Sequence, residues 1–238
     1  HYLRDSYKAH ERGVSLKGRG DYPLNDDFTL EVEAGYDHNH HPKAQTDPYH
    51  MGYVQPQLSF NLNNVDVQVG LNIVGQKHPL DSNHNHLRAY PALHVQYMQY
   101  GWARPYVAVE GNTKSQTLYQ LLQENPLTAA KLKLQPTHKP LAIEGGIKGD
   151  VITQISYQAS LSGSQYKHLH CWVNDAQDPR LYQVQYDPSA TVYRLSGALT
   201  WSSQEKTFTT RLRGNYFFYT LQTLKEPWHR PQYQIDML

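Results

Sequence analysis

A two-residue hydrophobic period recurs along this chain and constrains what it can fold into. Val65, Val67, Val69, Leu71 and Ile73 alternate with Asp66, Gln68, Gly70 and Asn72. Alternation of this kind belongs to a β-strand with one apolar and one polar face. The direction each face takes decides the rest. An inward apolar row makes a sheet protein with a dry core, and an outward one makes a barrel that meets lipid.

The pattern is organised in hairpins. Residues 14–22 place Val14, Leu16, Gly18 and Gly20 on one face and Lys17, Arg19 and Asp21 on the other. Pro23, Leu24, Asn25, Asp26 and Asp27 supply turn chemistry, and the chain returns through Phe28, Leu30, Val32, Ala34 and Tyr36. A second hairpin joins residues 54–62 to 65–74 through Asn63-Asn64, a pair suited to positive φ. A third joins residues 87–100 to 104–111 through Gly101-Trp102-Ala103. A fourth joins residues 141–148 to 151–161 through Gly149-Asp150, and a fifth joins residues 191–201 to 207–219 through 202–206. Between hairpins lie longer polar stretches, at residues 38–49 and 76–86. Residues 166–173 and 181–186 read as strand extensions beyond the main sheet, and 232–238 as a strand that stops early. Residues 115–125 break the period: Leu118, Leu121 and Leu122 stand at helical spacing before Pro126, which predicts a short helix that caps a mouth or packs on a neighbouring loop. Pro56 and Pro91 fall inside expected strands, where proline lacks a donor for the ladder.

Composition narrows the function classes. The formal charge of +1, from 22 basic and 21 acidic residues, gives no electrostatic reason to expect nucleic acid. One cysteine, Cys171, excludes an intrachain disulfide. Residues 1–9 have neither a basic start nor an apolar run, so no secretory signal is expected there and a mature or truncated chain is implied. No stretch reaches the ~20 apolar residues of a membrane helix. A membrane location would therefore require strands.

Three features favour lipid outside. The strands have about the 9–11 residues that a tilted strand needs to cross a bilayer. Short turns alternate with long connections, as at the periplasmic and extracellular ends of outer-membrane barrels. Tyr22, Phe28, Tyr36, Tyr97, Trp102, Tyr157, Trp201, Tyr216 and Phe218 fall near strand ends, where an interfacial girdle would sit. The expected fold is all-β: an antiparallel up-and-down transmembrane β-barrel, or a large part of one, of about 10–14 strands. Residues 1–238 form one β-barrel domain, expected to be incomplete at one or both ends. The polar rows then line a lumen, with Arg19, Glu31, Glu33, Asp66, Glu110, Glu144, Lys148, Arg194, Arg211 and Arg213 as lumen-lining residues.

Several segments resemble large outer-membrane β-barrels of the TonB-dependent-receptor-like type, in the C-terminal part of the barrel. They are Gly111-Asn112-Thr113 with residues 115–126, Val173-Asn174-Asp175 with Val184-Gln185-Tyr186-Asp187, and Glu226-Pro227-Trp228-His229-Arg230-Pro231. The resemblance spans residues 50–238 and implies a bacterial outer-membrane location. It implies a barrel that binds or passes a solute, with outer-membrane lipid as partner and a small solute or another outer-membrane or periplasmic protein as a further one. The plug-like domain and TonB-box-like segment of such proteins are not seen in this sequence. The alternatives are a non-transporting structural or docking subunit of an outer-membrane assembly, and a soluble β-sheet binding protein.

No enzyme chemistry is expected. Ser156, Ser160 and Ser196 lack a G-x-S-x-G motif. Glu31 and Glu33 share a face at spacing two, which suits lumen polarity, and Gly145-Gly146 and Gly18-x-Gly20 precede no helix and so are no phosphate loops. His38, His40 and His41 read as a solvated loop cluster. His168 and His170 share one face of an extended segment and are weak candidates for metal binding, but two ligands are not a site. Cys171 reads as an inert thiol. No cofactor is expected.

Overall fold

The computed structural model describes residues 2–4, 10–40, 48–77, 85–129, 132, 134–176, 178, 180–205 and 207–238. His41 of the histidine cluster, residues 78–84 and Lys206 lie outside this set. The alternating segments form β1 (Tyr2–Arg4), β2 (His10–Pro23), β3 (Phe28–His40), β4 (Tyr49–Leu62), β5 (Val65–Lys77), β6 (Asn85–Tyr97) and β7 (Arg104–Lys114). After α1 (Leu118–Glu124) come β8 (Thr137–Ile152), β9 (Ile155–Lys167), β10 (Leu169–Asn174), β11 (Tyr182–Asp187), β12 (Ala190–Ser202), β13 (Thr209–Leu221) and β14 (Tyr233–Met237).

Twelve strands make one antiparallel sheet in the order β1 to β9, then β12, β13 and β14. Neighbours are consecutive except where β10 and β11 leave the sheet, so the topology is up-and-down. Among the described residues β1 pairs only with β2 and β14 only with β13, which leaves the sheet open. It nevertheless curls, since residues from β2 and β3 at one side and β12 and β13 at the other line one cavity.

The apolar row points outward. Val69, Leu71, Ile143, Leu161, Leu195, Leu199 and Leu212 are all exposed, Ile143 at 49% and Leu195 at 56%. Those side chains are where lipid would be. The charged alternates Glu31, Glu144 and Arg194 face the other way and pair. At the short-turn end aromatics form a band, exposed except for the half-buried Tyr97. Tyr97 and Tyr100 lie 6.4 Å apart, Tyr100 and Trp102 6.2 Å, and Trp201 and Phe208 5.8 Å.

Three details differ from the sequence reading. The β8–β9 turn is at residues 153–154 rather than Gly149-Asp150. Gly149 pairs with Tyr157 in the β8–β9 ladder, and the position takes glycine because a Cβ there would overlap the Trp102 carbonyl of the neighbouring turn. Residues 38–40 extend β3 instead of opening a loop, and His38 pairs in register with His50. Residues 169–174 and 182–187 do not lengthen the main strands, because His168 adopts a φ of 57° and diverts the chain into the separate β10–β11 hairpin. Pro56 and Pro91 do sit within strands. Each interrupts one ladder only, since Val54 and Gln57 pair with β5 on either side of Pro56, and the β6–β7 ladder begins at Ala92.

Candidate functional site

The inward row of each strand carries the polar side chains, and the register brings them together across strands. Arg19 on β2 donates to Glu31 on β3 at 2.7 Å and to Asp21 at 3.2 Å, and Ser59 on β4 donates to Glu31 at 3.0 Å. Glu33 accepts from the Tyr53 hydroxyl at 3.0 Å. On the other wall Arg194 donates to Glu144 at 2.6 Å, and Glu144 also accepts from Tyr106 at 2.7 Å. Gln158 donates to the Tyr106 hydroxyl at 2.9 Å, and the Lys148 ammonium lies 5.5 Å from the Tyr106 ring centre. Glu110 pairs with Lys139.

These groups surround connected hollows. Glu110, Glu144, Lys148 and Arg194 line a cavity of about 390 Å³, and Asp66, Glu110 and Lys148 line one of about 420 Å³. Arg211 and Lys148 share a smaller one with Asp150. Arg213 falls on the same face, opposite Asp236 of β14, without lining any of these. Tyr106 is the residue that composition alone hides: it lies on the polar row with Arg104 and Glu110, and only that parity marks it as inward.

At the long-connection end, three segments build a cap with a core of its own. Thr117 caps α1 by accepting from the Gln120 N–H at 3.1 Å. Leu118 and Leu121 pack with Ala129, Leu132, Leu134 and Trp172 of β10, and Leu181 together with Tyr182 and Val184 of β11 closes the cluster. The expected role of this helix, packing on a neighbouring loop, is what the structure has. The Tyr119 N–H reaches Glu11 of β2 at 3.0 Å, so the cap also ties to the far side of the sheet.

The segments that carried the family resemblance act in this cap. Asp187 is fully buried and accepts from the backbone N–H groups of Ser189, Gln222, Thr223 and Leu224 at 2.8–3.1 Å. Burial alone would raise its carboxyl, but those donors outweigh it and hold the group below the usual range. Arg230 donates through Nε to the His170 carbonyl at 2.7 Å and through Nη2 to His170 Nδ1 at 3.2 Å. His170 Nε2 meets Glu124 of α1 at 2.9 Å. Burial pushes the His170 imidazole down, so it serves as a neutral linker between Arg230 and Glu124. His168 instead faces His138, with ring centres 5.9 Å apart. The two histidines paired by sequence spacing are thus drawn to different partners. Burial raises the Cys171 thiol, which suits an inert side chain.

Beneath the cap lies a hollow of about 810 Å³. Glu33, Asp37 and Glu124 contribute carboxylates to its wall, and Lys17, Lys139 and Arg230 contribute cations. Among the described residues no three His, Cys, Asp or Glu side chains converge as a metal site.

No protein-family model matches the sequence, and no curated protein does. Solved structures do match its shape. The apoprotein form of the FrpB iron transporter from Neisseria meningitidis, in its F5-1 variant, aligns over 90% of this chain and 37% of its own at 11% identity, with a TM-score of 0.60. The siderophore receptor PirA from Pseudomonas aeruginosa aligns over 90% of this chain and 44% of its own at 14% identity, with a TM-score of 0.59. FpvAI, in its complex with pyocin S2, aligns over 96% of this chain and 36% of its own at 10% identity, with a TM-score of 0.54. These neighbours are outer-membrane TonB-dependent receptors, transporters and receptors rather than enzymes. The chain has the antiparallel fold of their barrels and spans about two fifths of their length. The resemblance in the sequence therefore holds at the level of fold.

Proposed function

We propose that this chain is part of a TonB-dependent-receptor-like barrel of the bacterial outer membrane, which admits a solute to a polar lumen beneath an extracellular loop cap. The observation that carries this reading is the pairing of opposite faces. Exposed Ile143 and Leu195 flank Glu144 and Arg194, which meet at 2.6 Å on the inner wall. A wall of alternating cations and anions suits a hydrated or zwitterionic passenger better than a uniformly charged one. The open edges at β1 and β14 call for further strands to complete the ring, since an unpaired edge is not tolerated in hydrocarbon. The named lumen residues then tune selectivity, and the cap governs access.

Single-channel recording of the assembled barrel in planar bilayers tests the reading. Glu144→Gln and Arg194→Gln are expected to shift ion selectivity in opposite directions. A folded barrel that stays silent even after deletion of residues 115–136 would favour the structural or docking alternative.

A further inference from the structure

We infer that the outer wall carries a zinc-class divalent metal site, formed by Tyr36, His38 and His50 at the long-connection end of the β3–β4 hairpin and separate from the lumen. Tyr36 and His38 are two apart on β3 and so share its outward face, and His50 of β4 stands opposite His38 in register. Their side chains converge. The two Nδ1 atoms are 3.4 Å apart, the ring centres 4.8 Å, and the Tyr36 hydroxyl is 2.6 Å from His50 Nδ1.

The spacing distinguishes the possible bonds. An N–H···N contact of 3.4 Å is longer than the roughly 2.7–3.2 Å of a good hydrogen bond. Two imidazole nitrogens bound to one tetrahedral ion at about 2.0–2.1 Å lie about 3.3–3.4 Å apart, whereas cis ligands of a square-planar ion lie about 2.8 Å apart. The histidine pair therefore has the separation of a tetrahedral bite, and the hydroxyl beside His50 supplies the third donor of an N₂O set.

Placement makes the site accessible. The outward row of β3 runs Phe28, Leu30, Val32, Ala34, Tyr36, and a strand crosses hydrocarbon in about 9–11 residues, so His38 and His50 stand at its polar rim. Tyr36 is 43% exposed. Lys77 of β5 pairs in register with His50 and is the cation nearest in the ladder, which moderates affinity for a cation without blocking the bite. The site stands on the β3–β4 register and on the distances among its three side chains, and solute passage plays no part in it.

Isothermal titration of Zn²⁺ into the protein folded in detergent tests the inference, with heat-modifiable gel migration as the folding control. One Zn²⁺ is expected to bind. His38→Ala and His50→Ala are each expected to weaken binding about tenfold or more, Tyr36→Phe by a smaller factor, and Lys77→Gln to tighten it several-fold. His168→Ala serves as a control that leaves binding unchanged. Uptake of the same affinity by the folded His38→Ala, His50→Ala double variant would overturn the site, as would a folded protein that takes up no Zn²⁺. X-ray absorption of the loaded protein is expected to show two imidazole nitrogens, and a shell without them overturns it too.

Discussion

His170 shows how one side chain can couple the cap to acidity. Burial holds its imidazole below the ordinary 6.5, opposed by the hydrogen bond to Glu124 and supported by nearby Arg230. A depressed histidine value means that the folded cap favours the neutral ring. The stability it contributes is whole above about pH 6.5 and is lost as pH falls from there toward the folded-state value. Glu124 acts in the same direction: its bond from His170 lowers its carboxyl despite burial, so its contribution is also lost on acidification, at a lower pH. The protection of amides in 118–124 and 169–174, measured relative to their intrinsic exchange rates, is expected to fall between about pH 7.5 and pH 5.5, and His170→Gln to flatten that dependence. None of this was legible from spacing. The sequence puts His168 and His170 on one face of a strand, and the positive φ at His168 breaks the strand between them. The His38–His50 pair was hidden for a different reason, since its members lie on two strands and only the register joins them.

Among elements, the strands were readable because the period of two is imposed by the pleat itself, and Asn63-Asn64 is a turn in the structure with Asn63 at a φ of 55°. The Gly149-Asp150 turn was misplaced because a glycine serves two ends. There it answers a close approach by the Trp102 carbonyl, which no local pattern records. The cap was half legible. Leu118 and Leu121 predicted a helix, but their partners Leu132, Leu134 and Trp172 come from segments whose pairing only the fold supplies. Since Leu121 is fully buried in that cluster, Leu121→Ala is expected to cost about 2–5 kcal/mol locally. Limited proteolysis within residues 115–136 should detect it, while the heat-modifiable migration of the barrel stays unchanged. Loss of both together would mean that the cap and the sheet fold as one unit.

On the scale of the molecule, the orientation of the faces is what the outward exposure of Leu195 and the inward pairing of Arg194 establish. Leu195→Arg is expected to cost about 2–4 kcal/mol of stability in vesicles if the residue lies near the bilayer midplane, and Arg213→Ser, one strand away on the opposite face, much less. Denaturant unfolding from lipid vesicles measures both, and equal costs would contradict the assignment of faces. Local alternation showed which segments are strands, and strand length, turn asymmetry and the placing of aromatics such as Trp102 and Trp201 pointed the apolar face outward, but neither the total strand number nor closure could be read, because both depend on what meets the two ends of the sheet. Those ends have a consequence for handling the protein. β14 and β1 present rows of backbone donors and acceptors with no second neighbour among the described residues, and each such group left unmet in an apolar medium costs several kcal/mol. With both borders unpaired, the sheet is a template for its own copies. Copies would zip edge to edge into oligomers, and preparing it as a monodisperse particle calls for blocking those two borders first.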